Sequence, residues 1–165
     1  GFPYDDLDSW RAVYPAAIFV SQLEKVAAGF DQAMAKLRGS IRWSSKKLRA
    51  DHRRALAAEL SVAEAAAIHF RAAANQARFV QARRALAAAK TKDQAQPPLE
   101  ALAQVLQGEI ALARRLHAIQ TRDSRIGFEA SNQYYYVPVD LAEKVLNCRD
   151  LLERWLPAER ARWKL

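Results

Sequence analysis

Residues 44–89, SSKKLRADHRRALAAELSVAEAAAIHFRAAANQARFVQARRALAAA, contain neither glycine nor proline. Along them Leu48, His52, Leu56, Leu60, Ala63, Ala67, Phe70, Ala74 and Ala77 recur at steps of three and four, which places them on one helix face. The pattern predicts one very long helix from about Ser44 to Ala89, on the order of 65 Å at about 1.5 Å per residue. A bend or break is expected only near Leu60-Ser61, where a new cap could begin. Alanine is the strongest helix former, and the chain has 34 of them, about a fifth of its residues. Their density here implies close approach to neighbouring helices, with little side-chain volume between them.

Three further stripes flank this helix. Phe19, Leu23, Val26, Phe30, Ala33 and Leu37 form the first, opened by Pro15 and closed by Gly39, as expected for a proline in the first turn and a glycine just past the end. Residues 90–98 are polar and end in Pro97-Pro98, so they read as a loop. A third helix follows from about Leu99 to Thr121 on Leu99, Leu102, Leu106, Ile110, Ala113 and Leu116, with Gly108 marking a close crossing. The fourth stripe is Leu141, Val145, Cys148, Leu152 and Trp155, bounded by Pro138 and Pro157 with Asp140 as a cap. An acidic lead, Asp5 to Trp10, forms a helical turn folded back on the rest. No strand pattern exists for these stripes to pack on, so they must bury one another. The expected fold is all-α, an antiparallel helical bundle with one very long central helix and residues 1–165 as a single domain.

Composition narrows the chemistry. Lys and Arg number 26 against 18 Asp and Glu, a net charge of +8. A single cysteine forms no disulfide framework, and with His52, His69 and His117 it shows no zinc-ligand spacing. With five glycines there is neither GxGxxG nor GxxxxGK[ST], and GxSxG is absent too. No metal or cofactor is therefore expected. Charged residues interrupt the apolar runs before the roughly 18 residues that a membrane span needs. The opening Gly1-Phe2-Pro3-Tyr4 lacks an initiator methionine, which reads as a processed protein or a piece of a longer one.

The strongest charge cluster runs from residue 38 to 54. In it Arg42, Lys46, Arg49 and Arg53, interleaved with Trp43, could form a polyanion or nucleic-acid footprint, since clustered cations release phosphate counterions and an indole stacks on a base. The alternative is a solvated helix face. Lys46, Arg49 and Arg53 share one side of a helix, but Lys47 and Arg54 point elsewhere. No helix-turn-helix, RNA-recognition or zinc-finger pattern accompanies the cluster. Cys148 lies on a core stripe, which predicts a buried thiol of low reactivity. His69 and His117 sit beside apolar stripes and read as packing or capping groups.

The exceptional segment is 123–136, Asp-Ser-Arg-Ile-Gly-Phe-Glu-Ala-Ser-Asn-Gln-Tyr-Tyr-Tyr. Between two helices of Ala, Leu and Arg it concentrates an ion pair, a glycine, amides and the aromatics Tyr134, Tyr135 and Tyr136. Tyrosine faces stack on sugar rings or bases, while Arg125, Glu129 and Asn132 supply directional hydrogen bonds for a polyhydroxylated ligand. Tyr4, Asp5 and Trp10 are candidates to join it. The structural alternative has the tyrosines plugging the end of the bundle, with Arg125 and Glu129 as a satisfied pair.

The run from Asp123 to Tyr136, followed by Asp140 to Cys148 and preceded at the other end of the chain by Phe2 to Trp10, resembles the C-terminal helical region of large bacterial glycoside-hydrolase-like proteins. Residues 40–95 carry none of this resemblance. It implies an accessory domain of a carbohydrate-active protein, in which an upstream (β/α) barrel is catalytic and segment 123–136 contacts that catalytic domain or its glycan. It further implies an extracytoplasmic location and a chain that is not itself catalytic. The competing readings are a polyanion-binding module using residues 38–54 and a structural helical interaction module.

Overall fold

The computed structural model of the chain describes residues 5–44, 49–127 and 137–165, and for residues 41–44 the backbone only. The elements are α1 (Leu7–Arg11), α2 (Ala16–Ser44), α3 (Ala50–Ala88), α4 (Lys92–Arg122), α5 (Pro138–Asp150), a π-helical turn (Leu151–Trp155) and α6 (Leu156–Trp163). The fold is all-α, with no strand among the described residues. Each long helix packs against the next in chain order: α2 on α3, α3 on α4, α4 on α5. The neighbours are antiparallel. Glu24, Asp31 and Arg38 on α2 pair with Arg78, Arg71 and Glu64 on α3, and Glu64 and Asn75 on α3 meet Arg115 and Glu109 on α4.

Helix α3, 39 residues long, is the spine. It is well past the roughly 12–15 residues at which an isolated helix becomes marginal in water. It has no single apolar face because it is covered on two sides. Ala74, Ala77 and Val80 pack with Val20 of α2 and Leu7 of α1. Ala82 and Leu86 pack with Ala95, Leu99 and Leu102 of α4 and Leu156 of α6, while Ile68 joins Ala113, Leu116, Ile119 and Leu141. Alanine methyls stand at the closest contacts, with Ala27 and Ala77 fully buried. The acidic lead folds back as expected: Asp6 caps α1 by accepting from Ser9 N–H, and Asp8 takes Arg84 Nη1 at 2.9 Å.

Several boundaries differ from the sequence expectation. The long helix starts later than its pattern suggests: α2 runs on through Gly39 to Ser44, and α3 begins at Ala50. A Cβ at Gly39 meets nothing within 4 Å, so this glycine lies on an open surface where its propensity cost of about 1 kcal/mol is absorbed by the length of the helix. No break occurs at Ser61, whose hydroxyl donates to Ala57 C=O at 3.0 Å inside a continuous helix. The buried stripe of α2 is Val20, Ala27 and Met34, with Leu23 and Phe30 at its margin, while Val26 and Leu37 are exposed.

Helix α4 starts seven residues early, which takes Pro97 and Pro98 into its second turn. Thr91 explains this. Its Oγ1 accepts from Gln94 N–H at 3.3 Å, and the Gln94 side chain reaches back to accept from Lys90 N–H at 2.9 Å, a variant of the capping box. The prolines deprive only the carbonyls of Asp93 and Gln94 of helical donors, both in the exposed first turn, while Ala95, Pro98 and Leu99 are buried. Pro157 does not stop the last helix either. Leu156 N–H donates to Leu151 C=O, five residues back, and the chain continues helical to Trp163. Asp140 is the third residue of α5 and accepts from Val137 N–H at 3.2 Å.

Candidate functional site, an apolar groove beside Asp123 to Gly127

Where α4 ends, the chain makes a tight turn against the first half of α3. Asp123 N–H closes α4 onto Ile119 C=O at 3.1 Å, and Ile126 N–H donates back to Asp123 C=O at 3.1 Å. The Asp123 carboxylate organises the turn: Arg125 donates to it through Nε at 2.8 Å, Nη2 at 2.7 Å and the backbone N–H at 3.2 Å. Those bonds, the side-chain pair first, hold the Asp123 carboxyl well below the usual carboxylate range, at about 2. Asp123 is thus an anion at any physiological pH and no source of protons. Ile126 tucks against the Ile68, Leu116 and Leu141 cluster, and Gly127 takes φ 90°, a left-handed conformation that side chains disfavour.

Between this turn and α3 lies an open groove of about 800 Å³. Its floor is the α3 face bearing Ala58, Val62, Ala66 and His69, and its wall is Leu116, Gln120 and Ile126. Phe70 closes one edge, stacked on Phe30 of α2 with ring centroids 6.2 Å apart. His69 meets Phe70 edge-on at 6.2 Å. Burial first, and the nearby Lys144 ammonium second, push its pKa below the ordinary histidine value. The groove is therefore an aliphatic trough with a charged rim, made of Glu59, Asp123 and Arg125.

Of the residues named from sequence, Arg125 reaches this site, where its guanidinium bonds Asp123. Glu129, Asn132, Tyr134, Tyr135, Tyr136 and Tyr4 lie outside the described residues. Asp5 and Trp10 lie elsewhere: Asp5 offers its carbonyl to Arg84 Nη2 at 3.0 Å, so α1 packs at the far end of α3. From Val62 to Val80 that separation is about 27 Å along the axis. In the basic stretch, Arg42 and Trp43 occupy the last turn of α2 with only their backbone described, and Lys46 lies outside. Arg49 and Arg54 both turn to Asp51, and Arg38 reaches Glu64 at 3.2 Å. Arg53 is exposed on the first turn of α3.

One polar site escaped the sequence reading. Glu109 is buried where α3, α4 and α5 meet, accepting from Asn75 Nδ2 and Lys144 Nζ, each at 3.0 Å. Its neighbour Gly108 faces Asn75, which stands 3.6 Å from where a Cβ would sit, so the crossing is close without demanding glycine. Cys148, one turn beyond Lys144, is buried, and desolvation pushes its thiol pKa up. Among the described residues no three His, Cys, Asp or Glu side chains gather to hold a metal ion, and no helix is long and apolar enough to cross a membrane. Comparison with protein-family models, with curated proteins and with solved structures gave no match.

Proposed function

We propose that the chain is a helical accessory domain of a carbohydrate-active, glycoside-hydrolase-like protein. Its 123–136 region and the adjoining groove are the surface that docks the catalytic domain. The observation that carries this reading is the open aliphatic groove beside the Asp123–Arg125 turn. Sugar sites need flat aromatic faces and many hydrogen-bonding groups. Here Phe70 is already stacked on Phe30, and Arg125 is already bonded to Asp123. Among the described residues the rest of the lining is largely aliphatic, with His69 and Gln120 in it and charges at its rim, which suits the edge of a folded domain.

The test uses the whole polypeptide that carries these residues. Val62 is 54% exposed, so Val62→Arg leaves the core intact while placing a charge in the groove. Glycoside turnover or domain association should fall several-fold at unchanged helical content. Unaltered turnover and association in that variant, or a polypeptide with no carbohydrate-active domain beside these residues, overturns the reading.

A further inference from the structure

Among the described residues, helix α2 stands at the edge of the helical layer, packed chiefly on α3 and to a lesser extent on α1. At about 100° of rotation per residue, Val20, Ala27 and Met34 face α3, and the ion-paired Glu24 and Asp31 lie just to one side of them. Turning the other way round the helix leads to a second stripe, Ile18, Gln22, Val26, Gly29, Ala33 and Leu37, with steps of four and three. All six are exposed. Ile18, Val26 and Leu37 show 47%, 41% and 39% of their surface to solvent. A Cβ at Gly29 meets nothing within 4 Å, so between these larger side chains the stripe has a shallow, open centre. It runs about 28 Å, or five turns, with Ile18, Val26 and Leu37 as its three large apolar anchors.

The charges beside the stripe choose its partner. Lys25 and Lys36 border it along one edge, about 16 Å apart on the axis, both exposed and neither ion-paired among the described residues. The acids of α2 offer no counterweight, since Glu24 and Asp31 are turned to Arg78 and Arg71 of α3. A second copy laid antiparallel on this stripe would set Lys25 beside Lys36 with no acid between them, and each copy carries a net charge of +8.

We infer that the outer face of α2 docks an acidic amphipathic helix of another protein or domain. Its apolar face lies along Ile18 to Leu37, and its carboxylates, three turns apart, meet Lys25 and Lys36. Such a helix-in-groove contact draws its affinity from the apolar anchors and its choice of partner from the flanking charges. This surface is distinct from the groove beside Asp123, and the inference stands whether or not the accessory-domain reading does.

The experiment is a selection from a displayed library of helical peptides with a fixed Leu/Ala stripe and randomised flanks, performed on the intact chain. The expected winners carry Asp or Glu three turns apart on one edge and protect α2 from hydrogen exchange. Their affinity should drop roughly tenfold or more on Lys25→Glu/Lys36→Glu and comparably on Val26→Ser/Leu37→Ser, both at unchanged circular dichroism. Winners indifferent to the lysine reversal, or protecting another helix, overturn the inference. So does the absence of enrichment, a dimer in sedimentation that the Val26→Ser/Leu37→Ser variant abolishes, or phosphatidylglycerol vesicles displacing the peptides from α2.

Discussion

Lys144 Nζ of α5 donates to Glu109 Oε1 of α4 at 3.0 Å, and Asn75 of α3 holds the other carboxylate oxygen, so one buried acid ties three helices together. Burying a carboxylate is costly unless its oxygens are satisfied, and here both are. After burial itself, the Lys144 ammonium also acts on His69, and both charges act on Cys148.

Removing one partner should therefore cost more than removing both. Lys144→Met leaves a buried carboxylate with only an amide partner. The lysine side chain is 29% exposed, so the cost belongs below the roughly 3–5 kcal/mol of fully buried pairs, at about 2 kcal/mol. Glu109→Leu together with Lys144→Met should recover most of that loss. Urea denaturation of the single and double variants measures it, and a double variant less stable than Lys144→Met shows that the pair is net stabilising.

The Asp123–Arg125 clamp yields a pH prediction. The folded carboxyl titrates at about 2 against an ordinary value of 3.8, because Arg125 bonds its charged form. A depressed acid contributes stability that is fully present above its unfolded pKa and is lost as pH falls through the folded one. The clamp's share should thus be intact above about pH 4 and disappear between about 4 and 2. Carbon-detected NMR of the Asp123 carboxyl measures the midpoint, and Arg125→Ala should bring it back toward 3.8 while speeding exchange of the Ile126 amide. A midpoint near 4 in the unaltered chain contradicts the clamp.

Thr91 sets where α4 begins, so Thr91→Ala should cost about 1 kcal/mol. The first turn, residues 92–95, should then lose hydrogen-exchange protection ahead of the rest of the helix. Pro97 is exposed, and Pro97→Ala restores a donor for Asp93 C=O, which should raise the thermal midpoint. A fall in that midpoint would indicate that the proline ring is itself a packing contact.

What the sequence made legible was helical period, and what it hid was competition between signals. The stripes on α4 and α5 and the buried Cys148 could be read because large apolar side chains mark them. Local propensity alone makes Gly39, Pro97-Pro98 and Pro157 helix boundaries. Burial of Pro98 and Leu156 outweighs the proline signals, and at Gly39 the length of α2 absorbs a cost of about 1 kcal/mol on an open surface. On α2 the largest side chains pointed to a stripe through Val26 and Leu37, while the close approach to α3 selects smaller residues at Val20 and Ala27. Glu109 could have been found. Leu102, Leu106, Glu109, Ala113 and Leu116 keep the helical step, so an acid stands on the buried line, and a charge there calls for a partner. The groove could not, because it depends on how far the Asp123 turn stands from α3.

The π-helical turn between α5 and α6 makes the last prediction. Over Leu151–Trp155 the chain carries one more residue than α-helical winding accommodates, and this sets the phase of everything after it. Leu156 is 2% exposed, packed with Leu99 and Leu102 of α4, while Trp155 and Trp163 lie on the same cluster. Arg154 is exposed, and its guanidinium makes a surface pair with Asp150. Deleting it removes the surplus residue and lets the turn wind as regular α-helix, with Leu156 then four residues on from Leu151 and still in its place, so stability should change little. Inserting an alanine after Arg154 adds a second surplus residue and rotates α6 by about 100°. That rotation carries Leu156 out of the core, at about 2–3 kcal/mol for a fully buried leucine. Denaturant midpoints and tryptophan emission distinguish the two variants: the insertion should shift emission to the red and the deletion should not. Equal stability of the two would mean that the π turn does not set the packing of Leu156.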